Sequence, residues 1–155
     1  MAESLQDNIQ NTATTIKLPP NSQEAEQSVL GGLMLNDQHW FDLVDILQPS
    51  DFYRNQHQLI YQAMIELANQ DEALDAVTVS EKLKSKAILE KAGGIEYLGQ
   101  LAESSTGASN VLAYARIIRE RSVLRQLIGA ANQIADSAFS TEGKDSDTLL
   151  EKAEQ

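Results

Sequence analysis

Four of the five arginines in this chain, Arg116, Arg119, Arg121 and Arg125, fall within one ten-residue stretch. Guanidinium groups pair well with carboxylates, so Arg116, Arg121 and Arg125 suit docking of an acidic partner or a neighbouring subunit. The plainer alternative is a solvated helix face with local pairs, such as Arg116 with Glu120 four residues on. Other chemistry-bearing residues are sparse. The two histidines, His39 and His57, sit in no metal-binding spacing, and His57 reads as a structural residue at a helix start. There is no cysteine, which removes disulfides and thiolate metal sites. Gly94 and Gly99 have the separation of a phosphate loop, but Gln100 and Leu101 follow where Lys and Ser or Thr are needed. No serine lies in a nucleophile elbow. The motifs therefore support no catalytic, cofactor-binding or metal-binding residue.

Composition narrows the function further. The chain has 155 residues and a formal net charge of −11. Such a surface repels phosphate backbones, so direct DNA binding is not expected. Hydrophobic residues make up 42% and aromatics only 5%, so the core must rest on Leu, Ile, Val and Ala. No signal-peptide stretch and no run of about 18 apolar residues appears. The sequence reads as cytoplasmic, with no membrane partner.

The elements that carry these residues read as helices throughout. Residues 1–17 form a polar leader expected to be disordered, ending near Pro19-Pro20. Asn21-Ser-Gln-Glu24 resembles a capping box opening a helix with Val29, Leu30, Leu33 and Met34 on one stripe. That helix contains adjacent glycines, Gly31 and Gly32, each costing about 1 kcal/mol of helix propensity. Packing must offset the cost, so one of them is expected to face another helix at short range. A short helix with Trp40, Leu43 and Leu47 ends at Pro49. A clear amphipathic helix runs from Asn55 to about Ala68. Thr78-Val-Ser-Glu81 reads as a second capping box. Gly93-Gly94 breaks the chain before a helix with Ile95, Leu98 and Leu101.

From Asn110 to Phe139 no proline interrupts the chain, and a helix of that length spans roughly 45 Å. Ile117, Leu124, Ile128, Ala131, Ala135 and Ala138 form a near-heptad seam, widened by Val123, Leu127, Ala130 and Ile134. The face is too broad for one partner helix. After a short loop, a last helix starts near Asp147 with Leu149 and Leu150. The fold is expected to be all-α: a compact helical head over 18–108, then a projecting antiparallel hairpin over 109–155. Val123, Leu124, Leu127, Ala131, Ala135, Leu149 and Leu150 are the candidates for self-association. Tyr97, Ile128 and Ile134 join the arginines as candidate partner anchors. A stand-alone helical adaptor and a metal-dependent helical-bundle enzyme are the other classes considered.

Several strings together resemble one family: PPNSQEAEQSVLGGLML, QPSDFYRNQHQLIYQAM, AVTVSEKL, GGIEYLGQLAESS and NVLAYARIIRERSVLRQLI. In this order and spacing they resemble the N-terminal domain of bacterial replicative DNA helicases of the DnaB type. The resemblance covers about residues 18 to 155. It implies a non-catalytic collar domain whose hairpins pair into dimers within a hexamer ring. It also implies docking of the C-terminal domain of primase during DNA replication, and leaves open whether a helicase loader docks here as well. ATP and Mg are expected only in a RecA-like motor that would follow Gln155, so this chain is expected to be an isolated domain with its second hairpin helix cut short.

Overall fold

The computed structural model describes residues 17–105, 110–140 and 146–154. The leader therefore lies outside the described residues except for its last residue, Lys17. Among those described, the chain is all-α, with no strand. The helices are α1 (Gln23–Leu35), α2 (Trp40–Val44), α3 (Asn55–Asn69), α4 (Ala76–Ser85), α5 (Gly94–Ser104), α6 (Val111–Phe139) and α7 (Ser146–Glu154), with a 3-10 turn at Pro49–Asp51. The first five helices build a head, and α6 and α7 form an antiparallel hairpin that projects from it.

The head closes around one apolar core. Val29, Leu30, Leu43, Ile60, Met64, Val79, Leu83 and Leu98 are all fully buried. Few aromatics contribute, but they cluster. The Phe52 and Tyr61 rings lie 5.0 Å apart, and the Tyr61 and Trp40 rings 5.7 Å apart. The Tyr61 hydroxyl donates to the Leu47 carbonyl at 2.9 Å. Burial, and then the nearby Asp51 charge, holds its pKa well above the ordinary tyrosine value.

The glycine pair has the expected packing role. Gly31 and Gly32 are both buried within α1. A Cβ on Gly31 would overlap the Leu101 carbonyl oxygen on α5 and come 2.9 Å from its carbon and 3.1 Å from the Ser105 Cβ. The missing side chain is what lets the backbones of α1 and α5 approach. The other pair, Gly93 and Gly94, adopts φ of +106° and +77°, which a side chain would strain.

Both expected capping boxes shift. Ser22, not Asn21, caps α1, accepting from the Ala25 amide at 3.2 Å. The Asn21 amide instead donates to the Pro19 carbonyl at 2.8 Å. For α4 the cap is Asp75, which accepts from Val77 and Thr78, both at 2.9 Å. A carboxylate placed three residues upstream outcompetes the Thr78 hydroxyl, which turns back to the Ala73 carbonyl.

The long helix is rooted in the head. Val111, Ala115, Ile118 and Ser122 recur at three- and four-residue spacing and are buried against it. Beyond Ser122 no residue of α6 is fully buried.

Candidate interaction surface

Past the head, α6 presents apolar side chains to solvent. Leu127 is 61% exposed, Ile134 48%, Ile128 47%, Val123 39% and Leu124 38%, and Ala131 and Ala135 are exposed beside them. At 3.6 residues per turn these seven positions fall within an arc of about 140°. Ala131 sits near its middle, and Val123 and Ile128 mark its two edges, with Ile134 about 20° inside the Val123 edge. On α7, Leu150 is 61% exposed, while the Leu149 side chain lies outside the described residues. A contiguous apolar band of this kind marks a surface that another molecule covers.

The arc is held in place by a polar clamp at its base. Asp51, 1% exposed, ends the 3-10 turn with one carboxylate oxygen bound to the Gln48 amide at 2.7 Å. Its other oxygen accepts from Arg119 and from the Ser122 hydroxyl, both at 2.7 Å. Arg125 donates to the carbonyls of Asp51 at 2.6 Å and Pro20 at 2.7 Å, and stacks 5.4 Å above the Tyr53 ring. Two of the four clustered arginines are thus spent on joining helix to head. Arg116 is exposed, and Arg121 lies 3.8 Å from Glu120. The ion pair to Glu120 therefore comes from the adjacent arginine rather than from Arg116.

Tyr97 lies apart from the arc, on α5. Its ring stacks on His57 at 5.9 Å and 10° between planes. Its hydroxyl meets His57 Nε2 at 2.5 Å, and His57 Nδ1 meets Glu26 at 2.7 Å. The Glu26 carboxylate also accepts from the amides of Tyr53 and Arg54. Because a carboxylate only accepts, the His57 Nδ1–H donates to Glu26. This chain of bonds ties α1, α3 and α5 together, which gives His57 the structural role expected of it. No buried side-chain nitrogen or oxygen among the described residues lacks a partner.

Sequence reasoning missed the residues that fix the surface. Glu26 and Asp51 look like ordinary surface carboxylates, and apart from the Gln48 amide their partners are 27 to 71 residues away. The only local signal was the arginine cluster itself. Phe139, 92% exposed at the end of α6, was read only as a helix end. Among the described residues no group of three His, Cys, Asp or Glu is placed to hold a metal ion. None of their helices is long and apolar enough to cross a membrane.

Known proteins share this architecture. Residues 18–120 match the family described as DnaB-like helicase N terminal domain. The replicative DNA helicase DnaB of Haemophilus influenzae is 40% identical over 140 residues, which are 90% of this chain and 30% of that protein. The DnaB of Geobacillus stearothermophilus is 43% identical over 139 residues, again 90% of this chain and 30% of that protein. The chain thus spans about a third of the length of these relatives. Among solved structures, the N-terminal domain of DnaB helicase from Mycobacterium tuberculosis superposes with a TM-score of 0.84 at 36% identity, covering 88% of this chain and 96% of that one. The corresponding domain from Helicobacter pylori, described together with its interactions with primase, gives a TM-score of 0.63 at 28% identity, over 74% and 89% of the two chains. With the matched family region running from before α1 into the long helix, and a solved N-terminal domain superposing over 88% of the chain, this chain belongs to the family of DnaB-like helicase N-terminal domains.

Proposed function

We propose that this chain is the non-catalytic collar domain of a replicative helicase, pairing with a second copy through its hairpin and docking the C-terminal domain of primase in the cytoplasm. One observation carries this reading: an apolar arc stands exposed on a helix that the Asp51 clamp holds rigidly to the head. An apolar surface is costly to leave in water, and a self-complementary one is satisfied by an isologous pair. Val123, Leu124, Leu127, Ala131 and Ala135 form the pairing face, with Leu149 and Leu150 from α7. Ile128, at one edge of the arc, and Ile134, close to the other, are the docking anchors for primase. The relatives' names support the replicative-helicase reading, and the Helicobacter pylori domain, described with its interactions with primase, supports the docking role. ATP and Mg belong to the motor half of the longer relatives. A net charge of −11 suits a domain that leaves DNA contact to that half.

The test is mass by light scattering across a concentration series, with primase C-terminal domain added at tens of micromolar. The expected result is concentration-dependent self-association, lost in Leu127→Asp, and primase binding weakened in Ile128→Ala and Ile134→Ala. A strict monomer that binds no primase would overturn the proposal. Undiminished binding by both isoleucine variants would move the docking site elsewhere.

A further inference from the structure

Where α6 leaves the head, a notch of about 690 Å³ opens between the helix and the segments before α1 and α3. Lys17, Leu18, Tyr53, Arg125, Ile128 and Gly129 are among its walls. Leu18 is 76% exposed. In a chain of net charge −11 this place is unusual: it holds two cations, and no carboxylate lines it. Arg125 spends its hydrogen bonds on two backbone carbonyls. Neither it nor Lys17 has an ion-pair partner among the described residues.

Gly129 adds a second, independent sign. It sits in the middle of a 29-residue helix, where glycine is unfavourable. Unlike Gly31, it has no packing reason within the chain, because a Cβ there would meet nothing within 4 Å. A position kept small without an internal neighbour fits close approach by something external.

The chemistry that fits is an apolar side chain flanked by carboxylates, and α7 offers it. Asp147, Leu150, Glu151 and Glu154 recur at i, i+3, i+4 and i+7, so they share one face. All four are exposed. Lys152, the only cation of α7, lies off that face. Within one chain α7 packs on α6, and these four residues stay exposed. When two antiparallel hairpins pair, the tip of each lies beside the base of the other, at the level of the notch. We infer that the α7 face of a second copy seats Leu150 in this notch, with its carboxylates on Lys17 and Arg125, and that the two-fold pair fills both notches. This rests on the hairpin-pairing reading above and adds to the apolar arc a charged, register-setting contact.

The test compares the whole chain with Gly129→Leu, which adds a side chain at the notch where a Cβ has open space, and with a Glu151→Lys and Glu154→Lys double variant. Equilibrium sedimentation at low and high ionic strength reads the dimer dissociation constant. Both variants should raise it by about tenfold at low salt, and the wild-type association should weaken with salt while that of the charge-reversed variant should not. Far-UV circular dichroism confirms that each variant remains helical. Unchanged dissociation constants in both variants, with Leu127→Asp still monomeric, overturn the notch contact and leave hairpin pairing standing. A wild-type chain that never associates overturns both. Loss of binding to primase or another acidic partner in Gly129→Leu, with self-association intact, overturns the assignment to a second copy.

Discussion

The head and the hairpin use the same residue types in opposite ways. Leu30, Leu43, Leu83 and Leu98 of the head have no exposed surface, whereas Leu127, Ile128 and Ile134 of the hairpin keep about half of theirs in water. Polar groups show the reverse. The head buries Glu26, Asp51 and His57 with their hydrogen bonds made, while the hairpin leaves Arg116 and most of its charges in solvent. The difference separates two tasks. Head residues decide whether the chain folds, and the contacts proposed with other molecules fall to the hairpin.

Substitutions can strain that division. Gly31→Ala forces a Cβ onto the Leu101 carbonyl of α5, and backbone there cannot swing aside as a side chain does. It should cost about 3 kcal/mol of stability, read by urea denaturation. A variant that melts with the wild type would mean α1 and α5 can slide apart freely. Asp51→Ala removes the shared acceptor of Gln48, Arg119 and Ser122. Arg119 is 46% exposed and stays hydrated, so the loss comes mainly from the buried amide and hydroxyl, about 2 kcal/mol. Hydrogen exchange should rise most at the foot of α6, and protection unchanged there would contradict the clamp.

Tyr61→Phe leaves the Leu47 carbonyl without its donor and should cost about 1 kcal/mol. It should also alter the alkaline limb. The folded chain holds the Tyr61 proton more tightly than the unfolded one, with its pKa raised from 10.0. That contribution is complete below the unfolded value and is lost as pH rises above about 10 toward the folded one. Stability measured against pH should therefore fall less steeply above pH 10 in the phenylalanine variant. Smallest of all on folding is Leu127→Asp, within about 0.5 kcal/mol for the monomer, despite its expected effect on pairing. A large fall in monomer stability would show that the arc is packed within its own chain.

Much of this architecture was legible because it is periodic. The long helix showed itself through thirty residues without proline, and its observed limits, Val111–Phe139, lie within a residue of those read. Gly31 betrayed a close helix contact because a costly residue needs a reason. Caps were harder: Ser22 and Asn21 are both good capping residues, and only backbone geometry chooses between them. The clamp was illegible. Asp51 and Arg119 are 68 residues apart, and no local pattern links a carboxylate in a turn to an arginine on a distant helix. Tyr97 was read as an exposed anchor because its buried partner, His57, lies 40 residues away.

The clamp makes the hairpin a lever. The part of α6 beyond Arg125 is about 20 Å long at 1.5 Å per residue, so a tilt of about 10° at its foot would carry its far end some 3 to 4 Å sideways. That is most of a side chain's width, enough to bring apolar residues of two copies out of register. In the proposed pair, the accuracy with which two copies align is therefore set not only where they touch but at the fulcrum, by the buried carboxylate of Asp51 and its bonds to Arg119 and Ser122 of the same chain.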